Sequence, residues 1–505
     1  MAHADTPPPG PDLAKGVPVA SVPAAGVLAG HVDGSAVLLS RLPDGIFAVS
    51  GTCTHYGAAL AEGLVVDGEV RCPWHHACFS LRTGQALRAP AFAPLKTWRV
   101  DIVGDNVFVR DAPDETGKPG PVRPRTNPDR IVIVGGGAAG FAAAERLRSL
   151  GFSGSLTMLS ADDAAPCDRP NLSKDYLAGT ASEDWIPLQS DAFYRDQRID
   201  LRLACEVVSI DTASRDVLTR SGDRFAYDAL LIATGAEPVR LPLPGFDLPN
   251  VFTLRSLADA RAIIAATASA RSAVLIGAGF IGLEVADSLR QRGLDVHVVA
   301  RDAVPMEKVL GRELGDFLTR LHREHGVTFH LQRAPAGFDG RLVTLDDGST
   351  IAADMVIAGV GVRPRIELAA AAGLTVDNGV LVDAQLRTSV PDIYAAGDVA
   401  RFHAGADLIR VEHWVHAERQ GQNVAANMLG YEHAFDDVPY FWSHHYDIEI
   451  RYVGHAVGWD EVRIDGSIDA RDCTARYLRK GELLAAASIG RDLENLVVEA
   501  ELRRK

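Results

Sequence analysis

The 505-residue sequence predicts a multidomain protein in which an all-β domain is followed by a larger α/β region and a small α+β domain. Three observations support this fold class. Short apolar runs such as SAVLLS (35–40) and NVFVR (106–110) alternate with Gly, Pro and Asp turns near the N-terminus. A stretch rich in proline and charge follows, and beyond it strand and helix patterns alternate. Two strand–turn–helix segments in that region, 130–150 and 272–292, repeat each other.

Composition and charge limit the possible classes of function. The net charge of −15 argues against nucleic acid as a partner, because phosphate binding needs clustered Lys and Arg. Six cysteines are too few for a disulfide framework in a chain of this length, so a reducing compartment is expected. The N-terminus lacks the apolar core of a signal peptide, and no apolar stretch reaches membrane-spanning length. We therefore expect a cytoplasmic protein without a membrane span.

Two short loops in the all-β region each carry one cysteine and one histidine. Cys53 and His55 form the first pair, and Cys72 and His75 form the second after sixteen intervening residues. A Rieske [2Fe–2S] centre needs this division, because two thiolates bind one iron and two imidazoles bind the other. Zinc sites usually pair C-x₂₋₄-C with H-x₃₋₅-H instead, so zinc and the absence of any metal are the minor alternatives.

The sequence around the two loops, GTCTHYGAAL and VRCPWHHACFSLRTGQ, resembles Rieske domains along nearly its whole length. High-potential members carry an extra cysteine in each loop, joined as a disulfide, and the corresponding positions here are Ala58 and Trp74. The resemblance is therefore to Rieske ferredoxins and to the Rieske domains of oxygenase systems. It implies a potential towards the lower end of roughly −150 to +300 mV. Cys78 is not at a ligand spacing and is expected to be a small buried residue.

The first strand–turn–helix segment reads RIVIVGGGAAG and places Gly135, Gly137 and Gly140 in a GxGxxG pattern. Such glycines close the turn and let backbone N–H groups approach a pyrophosphate at the helix N-terminus. Asp162 follows the next strand, twenty-two residues beyond the last glycine, where an acidic group binds a ribose hydroxyl. The segment therefore predicts a dinucleotide site.

Three further segments resemble motifs of two-dinucleotide flavoproteins, and together they imply bound FAD. They are CDRPNLSKDYLAG (167–179), LLIATG (230–235) and TSVPDIYAAGDVA (388–400). By this resemblance Thr234, Gly235 and Gly397 bind FAD. Asp398 is implied to lie at the ribityl chain or a nearby phosphate.

The segment 167–179 resembles the branch that contains ferredoxin reductases and apoptosis-inducing factor. It implies that Arg169 contacts FAD and that Lys174 lies near the reactive edge of the flavin, as a catalytic candidate. The segment VPYFWSHHYDIEIRYVG (438–454) resembles the same branch, in which an aromatic stretch closes over the flavin. Trp442 is thus a candidate neighbour of the flavin ring, and a core tryptophan at a domain interface is the alternative.

The second strand–turn–helix segment, SAVLIGAGFIGLEVADSLRQRG, carries Gly277, Gly279 and Gly282 and predicts an NAD(P)H site. In the resembling reductases an acid at the position of Glu284 lies near the contact between nicotinamide and flavin. A catalytic role and a role in the helix dipole are both open for this residue.

The position that selects between NADH and NADPH is Ala300, at the end of the strand LDVHVVA. NAD-specific enzymes usually place Asp or Glu there. Arg301 is able to meet a 2′-phosphate, and Asp302, two positions late, is the competing ligand of the ribose. Both nicotinamide cofactors therefore stay open.

The chain lacks the dithiol of its disulfide-reducing relatives, which place a C-x₄-C pair beside the flavin. Cys167 has no cysteine within five residues. Electrons leaving the flavin therefore need another outlet, and a one-electron carrier is encoded in the same chain.

Residues from about 17 to 490 together resemble the Rieske-containing, apoptosis-inducing-factor-like ferredoxin reductases. The implied fold is an all-β Rieske domain, a tandem Rossmann-like flavoprotein and a small α+β C-terminal domain. We expect a flexible tail (1–16), a Rieske domain (17–111), a linker (112–128), an FAD-binding domain in two parts (129–256 and 376–435), an NAD(P)-binding domain (257–375) and an interface domain (436–505).

The expected function is electron transfer from NAD(P)H through FAD to the Rieske cluster. An electron-transfer protein or a small acceptor would take the electrons from there, and the enzyme would be a monomer or homodimer. Two alternatives remain: an NAD(P)H oxidase that uses oxygen, and a redox-gated interaction protein resembling apoptosis-inducing factor.

Overall fold

The computed structural model describes four stretches of the chain, residues 9–110, 126, 128–405 and 407–504. Contacts divide the chain into two units, of which the first contains Met1–Pro124 and Arg491–Lys505 and the second contains Arg125–Gly490. The linker predicted for 112–128 lies outside the described residues, apart from positions 126 and 128.

The N-terminal part of the first unit consists of short strands joined by turns. In chain order they are β1 (Val17–Pro18), β2 (Val27–Val32), β3 (Ser35–Leu42), β4 (Gly45–Ser50), β5 (Leu64–Val66), β6 (Glu69–Arg71), β7 (Cys78–Ser80), β8 (Ala86–Arg88), β9 (Thr97–Val103) and β10 (Asn106–Arg110). They form a six-stranded sheet, β1-β10-β9-β4-β3-β2, and a four-stranded sheet, β5-β6-β7-β8. Both faces of β3 are buried, because Val37 and Leu39 enter one apolar cluster while Leu38 enters another.

Residues 9–16 differ from the loose tail predicted from their composition. Leu13–Lys15 form a short 3₁₀ helix. Asp12 caps this helix, because its side chain accepts a hydrogen bond from the Ala14 N–H at 3.1 Å. Leu13 is fully buried in the same apolar cluster as Val37. One buried leucine and one cap thus order a segment whose proline content alone indicated a tail.

The second unit alternates strands and helices. Its strands are β11 (Arg130–Val134), β12 (Ser155–Leu159), β13 (Ile199–Arg202), β14 (Val207–Asp211), β15 (Asp216–Thr219), β16 (Arg224–Ala226), β17 (Ala229–Ile232), β18 (Ala236–Pro238), β19 (Val251–Phe252), β20 (Ser272–Ile276), β21 (Asp295–Ala300), β22 (Val327–Leu331), β23 (Pro335–Phe338), β24 (Leu342–Leu345), β25 (Thr350–Ala352), β26 (Met355–Ala358), β27 (Val362–Pro364), β28 (Val380–Leu381), β29 (Ile393–Ala395), β30 (Ala400–Ala404), β31 (Asp407–Ile409), β32 (Tyr440–His445), β33 (Ile448–Gly454), β34 (Glu461–Ser467), β35 (Asp472–Arg479) and β36 (Glu482–Ile489). Its helices are α1 (Ala138–Ser149), α2 (Asp175–Ala178), α3 (Asp191–Asp196), α4 (Leu257–Thr267), α5 (Phe280–Gln291), α6 (Glu307–Glu324), α7 (Glu367–Ala371) and α8 (Trp414–Met428).

Two parallel five-stranded sheets, β13-β12-β11-β17-β29 and β22-β21-β20-β26-β19, share the arrangement of their first four strands. The fifth strand differs, because β29 follows the others in the chain and β19 precedes them. Each central strand, β11 or β20, is followed by a glycine turn and a helix, α1 or α5. Each sheet also has an antiparallel three-stranded sheet inserted after its third strand, β14–β16 or β23–β25. The predicted repeat of two Rossmann-like domains is confirmed, because the apolar runs of both segments are buried parallel strands.

The C-terminal part of the second unit is an antiparallel sheet, β32-β33-β36-β35-β34. Helix α6 packs on it, with Leu314, Phe317 and Leu318 in one apolar cluster with Ile450 and Tyr477. Within the described ranges no helix is both long enough and apolar enough to cross a bilayer.

The last helix, α9 (Asp492–Leu502), lies in the first unit, although the sequence places it in the domain predicted for 436–505. It packs against β5. Glu499, fully buried on this helix, lies 2.8 Å from Nδ1 of the equally buried His76. A buried carboxylate needs such a partner, so this pair explains why the helix belongs with the N-terminal sheets.

Glu499→Ala should destabilise the first unit by about 3 kcal/mol, because it removes one member of a buried pair and leaves the His76 imidazole without this hydrogen bond. Hydrogen exchange of β5–β8, followed by mass spectrometry, measures the effect locally. Glu501→Ala is the matched control, since Glu501 lies exposed on the same helix. Equal exchange rates in the two variants would show that the pair adds nothing to stability.

Candidate functional site

The two loops that carry Cys53 and Cys72 have the same backbone geometry. The Cys53 N–H donates to the Ala58 carbonyl at 2.9 Å, and the Cys72 N–H donates to the Ala77 carbonyl at 2.8 Å. The residue before each acceptor has a left-handed φ, which is 81° for Gly57 in the first loop and 61° for His76 in the second. The loops follow β4 and β6, so each sheet of the first unit presents one of them.

The four predicted iron ligands come together at the ends of these loops. Cys53 and Cys72 are both buried, and the interaction between their thiols lowers the pKa of Cys53 and raises the pKa of Cys72. The rings of His55 and His75 lie with centroids 5.0 Å apart and nearly perpendicular, at 82°. Sulfur therefore faces sulfur and imidazole faces imidazole, which is the pairing that a Rieske centre requires.

The His55 imidazole has the state that a metal ligand needs. Burial lowers its pKa to about 4, so the ring is neutral at physiological pH. Its Nδ1 is buried and has no hydrogen-bond partner among the described residues. A neutral ring nitrogen without a donor is an open ligand position for iron.

The ligand geometry favours a binuclear cluster over zinc. Cys53 interacts with Cys72, and the His55 ring contacts the His75 ring, so the four side chains form one sulfur pair and one imidazole pair. A structural zinc site needs four ligands around one ion. A [2Fe–2S] cluster spreads its four protein ligands over two irons, two on each.

The second unit contains a cavity of about 1660 Å³ that both glycine turns line. Pockets for single small molecules span roughly 300–1,000 Å³, so this cavity is large enough for two extended ligands. It brings together most of the residues predicted to bind FAD and NAD(P)H: Gly135, Gly137, Asp162, Arg169, Lys174, Thr234, Gly235, Gly277, Gly279, Gly282, Glu284, Gly397, Asp398 and Trp442.

Gly140 and Arg301 are not in the cavity wall. Gly140 lies inside α1, where a Cβ would come within 2.0 Å of the Gly135 carbonyl oxygen, so its role is close packing of helix on turn. Arg301 is exposed just beyond β21, beside Asp302, which pairs with Lys308 at 3.3 Å.

Gly135 and Gly279 differ in the reason for their lack of a side chain. Gly135 has a φ of +123°, and a Cβ there would lie 2.1 Å from the Ala233 carbonyl oxygen. The turn itself therefore requires glycine at this position. Gly279 has an ordinary extended φ of −79°, and a Cβ would meet nothing within 4 Å. The open space beside Gly279 is what a pyrophosphate would occupy at the α5 N-terminus.

Two ion pairs at the cavity involve predicted FAD ligands. Arg169 donates to Asp162 at 2.8 Å, so two residues that were predicted separately contact each other. Arg255 donates to Asp398 at 2.6 Å. Arg255 was missed in the sequence, because it lies outside every motif and only the fold brings it to the cavity.

Lys174 and Glu284 form the most buried ion pair of the cavity. The Lys174 Nζ donates to Glu284 Oε2 at 2.8 Å and lies 5.9 Å from the centre of the Trp442 ring. Glu284 also accepts hydrogen bonds from Ser173, at 2.5 Å, and from Ser443, at 2.6 Å. Its 4% exposure and its three donors favour a role in the site over a helix-dipole role.

The cysteines of the second unit are not set up as a redox dithiol. All six cysteines of the chain are free thiols. Burial raises the pKa of Cys167 to about 11 and also raises the pKa of Cys205, which lines the cavity. Because the thiolate is the reactive form, neither group is a good nucleophile near neutral pH.

Comparison with known families gives three matches along the chain. Residues 129–421 match the model described as pyridine nucleotide-disulphide oxidoreductase. Residues 15–99 match the Rieske [2Fe-2S] domain, and residues 440–502 match the model described as reductase C-terminal.

Individual proteins are similar over most of the chain. Human apoptosis-inducing factor 3 is 32% identical over 476 residues, which cover 90% of this chain and 78% of that protein. Rhodocoxin reductase of Rhodococcus erythropolis is 40% identical over 67% of this chain and 81% of its own length. The solved covalent complex of putidaredoxin reductase and putidaredoxin superposes with a TM-score of 0.73 at 33% identity, covering 75% of this chain and 94% of that chain.

Proposed function

The chain belongs to the pyridine nucleotide-disulphide oxidoreductase family, and from that we propose that it passes electrons from NAD(P)H through FAD to its own Rieske cluster and on to an external acceptor. It is an FAD-dependent NAD(P)H oxidoreductase of the ferredoxin-reductase type. Its cofactors are FAD, NAD(P)H and a [2Fe–2S] cluster. These features confirm the family, the enzyme class and the cofactors predicted from the sequence.

The observation that carries the proposal is the absence of a reactive dithiol in a chain that also has cluster ligands. The thiols of Cys167 and Cys205 stay protonated, so they give the flavin no outlet. Bound FAD takes a hydride from NAD(P)H and releases electrons singly, and a Rieske cluster accepts one electron at a time. The flavin thus links a two-electron donor, NAD(P)H, to a one-electron acceptor, the cluster.

We assign the cluster to four ligands. Cys53 and Cys72 would hold one iron, because both are buried and their thiols interact. His55 and His75 would hold the other iron. Tyr56 beside this histidine pair is 45% exposed, which makes the imidazole side the exit face for electrons.

On the flavin side, the chain positions and insulates the reacting groups. The glycine turns at Gly135 and Gly279 admit the two pyrophosphates. Lys174 holds a positive charge in the cavity, and Glu284 fixes its position by an ion pair. Trp442 lies with its ring centre 5.9 Å from Lys174 Nζ, where it would help to exclude water from the contact between nicotinamide and flavin.

The external acceptor is proposed to be a small electron-transfer protein. Two of the similar proteins are named for such partners, rhodocoxin and putidaredoxin. The exposed Tyr56 beside the cluster histidines gives such a partner an aromatic contact on this face.

An anaerobic titration tests the electron path. NADH or NADPH is added stepwise, and the flavin is followed by absorbance while the cluster is followed by electron-spin resonance. We expect the cluster signal of the reduced state to appear as the flavin is reduced. A cluster that stays oxidised beside a fully reduced flavin contradicts the proposal. Rapid NAD(P)H-dependent oxygen consumption in a separate aerobic sample would favour the oxidase alternative.

A further inference from the structure

A continuous line of hydrogen bonds leads away from the Lys174–Glu284 pair through the interior of the second unit. Ser443 Oγ lies 2.6 Å from Glu284 Oε1 and 3.0 Å from His445 Nε2. His445 Nδ1 lies 3.2 Å from His322 Nε2, and His322 Nδ1 lies 3.4 Å from the Tyr446 hydroxyl. Ser443, His445 and His322 each have an exposed fraction of zero.

Two elements fix this line. Ser443 and His445 lie two positions apart on β32 and therefore on the same face of the strand. Glu284 on α5 binds Ser443, and one helical turn later Asp287 accepts from the Tyr446 N–H at 2.7 Å. The face of α5 thus holds the end of β32 at two points.

The line ends at the surface. Tyr446 is half-buried and its ring stacks on that of His325, with ring centroids 3.7 Å apart. His325 is exposed, after the end of α6. The other end is the carboxylate that lines the cavity. The line therefore runs from the cavity wall to a half-buried tyrosine that packs on an exposed histidine.

The protonation states give the line a direction. Burial lowers the pKa of His445 to about 3 and of His322 well below its ordinary value, with smaller effects from neighbouring charges such as Lys174 and His325. A neutral imidazole has one donor and one acceptor. Because Ser443 donates to Glu284, His445 must donate from Nε2 and accept at Nδ1. His322 then donates from Nε2 and accepts from Tyr446.

We propose that Tyr446, His322, His445 and Ser443 form a proton relay that delivers a proton from solvent to Glu284. Every donor in the line points towards the carboxylate, so one concerted shift moves a proton inward. The shift reverses the polarity of each hydrogen bond, and the line is then set to return a proton outward. The four residues act through Glu284 and do not touch the substrate. They are therefore positioning residues, which hold and pass a proton, and not catalytic residues.

The relay balances charge during turnover. A hydride brings two electrons and one proton into the pocket, a net charge of −1. The proton delivered to Glu284 neutralises the carboxylate, and the positive charge of Lys174 is then available to the pocket. When two electrons leave to one-electron acceptors, the relay returns its proton to solvent. The hydride's own proton is the one released in the sum NAD(P)H → NAD(P)⁺ + H⁺ + 2e⁻.

This inference rests on the flavin chemistry of the family and is independent of the acceptor proposed for the electrons. Nitrogen NMR of the FAD-loaded protein, labelled with ¹⁵N-histidine, tests the polarity without turnover. Spectra of His445→Gln and His322→Gln assign the two rings. We expect both rings to be neutral and to carry their hydrogen on Nε2. A hydrogen on Nδ1 of either ring, or a charged ring, overturns the proposal.

Proton uptake during the reductive half-reaction tests the transfer itself. The holoenzyme is mixed anaerobically with NAD(P)H in weak buffer containing an indicator dye. We expect proton uptake to keep pace with flavin reduction in the native protein. In His445→Gln it should slow by about 100-fold or more, the lower end of the range for loss of a proton-transfer group. Uptake at the native rate in this variant overturns the relay.

Two further variants separate relay from structure. Tyr446→Phe removes only the hydroxyl at the solvent end and keeps the ring stacked on His325, so it should fold normally and slow uptake in the same way. His444→Gln changes the next residue on the strand, which lies on the opposite face and outside the line, and should leave uptake unchanged. Equal slowing in both variants would assign the effect to packing and contradict the relay.

Discussion

Cys72→Ser should leave the protein without its cluster while the flavin remains bound and reducible. Loss of a group that merely orients a metal ligand costs about 10–100-fold in affinity, so loss of a ligand itself should cost more than about 100-fold. Cluster content is measured by iron analysis and by the visible absorbance of the purified protein. NAD(P)H-dependent reduction of ferricyanide, which takes electrons directly from the flavin, should persist.

Cys78→Ser is the matched control for this experiment. Cys78 follows the second ligand loop at the start of β7 and is as deeply buried as Cys72, yet its thiol donates to the His76 carbonyl oxygen at 3.4 Å. We expect this variant to keep its cluster, since a serine hydroxyl also donates. If Cys72→Ser retained the cluster, or both variants lost it, the ligand assignment would be wrong. Reduction of a protein acceptor should be lost in Cys72→Ser alone, because that route needs the cluster.

Gly279→Ala should raise the KM for NAD(P)H by about 10- to 100-fold, which is about 1.4–2.8 kcal/mol of binding free energy. The added methyl group enters the open space at the α5 N-terminus and meets no protein atom within 4 Å. It therefore displaces the ligand and leaves the fold intact. Steady-state kinetics measure the effect, and FAD content and thermal unfolding should match the native protein.

Gly277→Ala gives the contrasting result. Its φ is +107°, and a Cβ would lie 2.3 Å from the Gly359 carbonyl oxygen, so the substitution strains the turn itself. We expect loss of thermal stability together with loss of NAD(P)H binding. An unchanged KM in Gly279→Ala would mean that the nucleotide does not approach this turn.

The cluster ligands could be predicted from sequence because each pair is local. Cys53 lies two residues from His55, and Cys72 lies three residues from His75. The two ligand pairs can therefore be recognised from their spacing, without knowledge of the tertiary structure. The glycine turns are local in the same sense, since one strand, one turn and one helix contain the signal. Resemblance added the positions of Lys174 and Glu284.

Contacts between distant segments could not be predicted. Lys174 and Glu284 are 110 residues apart, and no local pattern pairs them with each other. The relay joins His322 to His445, which are separated by 123 positions on a helix and a strand. A lone histidine carries no pattern, and only the packing of α6 on the C-terminal sheet turns two of them into neighbours.

The exclusion of residues 9–16 from the predicted sheet domain has a similar cause. Proline and alanine dominate the first sixteen positions, so their composition indicates a tail. The composition does not reveal that one residue, Leu13, is fully buried. The placement of α9 in the first unit likewise involves distant contacts, since Glu499 meets His76 across 423 positions and the helix packs against β5.

That last contact bears on how the protein is made. A ribosome adds about 5–20 residues per second, so the N-terminal sheets emerge roughly 20 to 80 s before the helix that supplies Glu499. During this interval the loop of Cys72 and His75 lacks the contact between His76 and Glu499. The domain that is synthesised first is thus the one completed last, and a transcript that ends before codon 492 yields a reductase whose iron domain is unfinished.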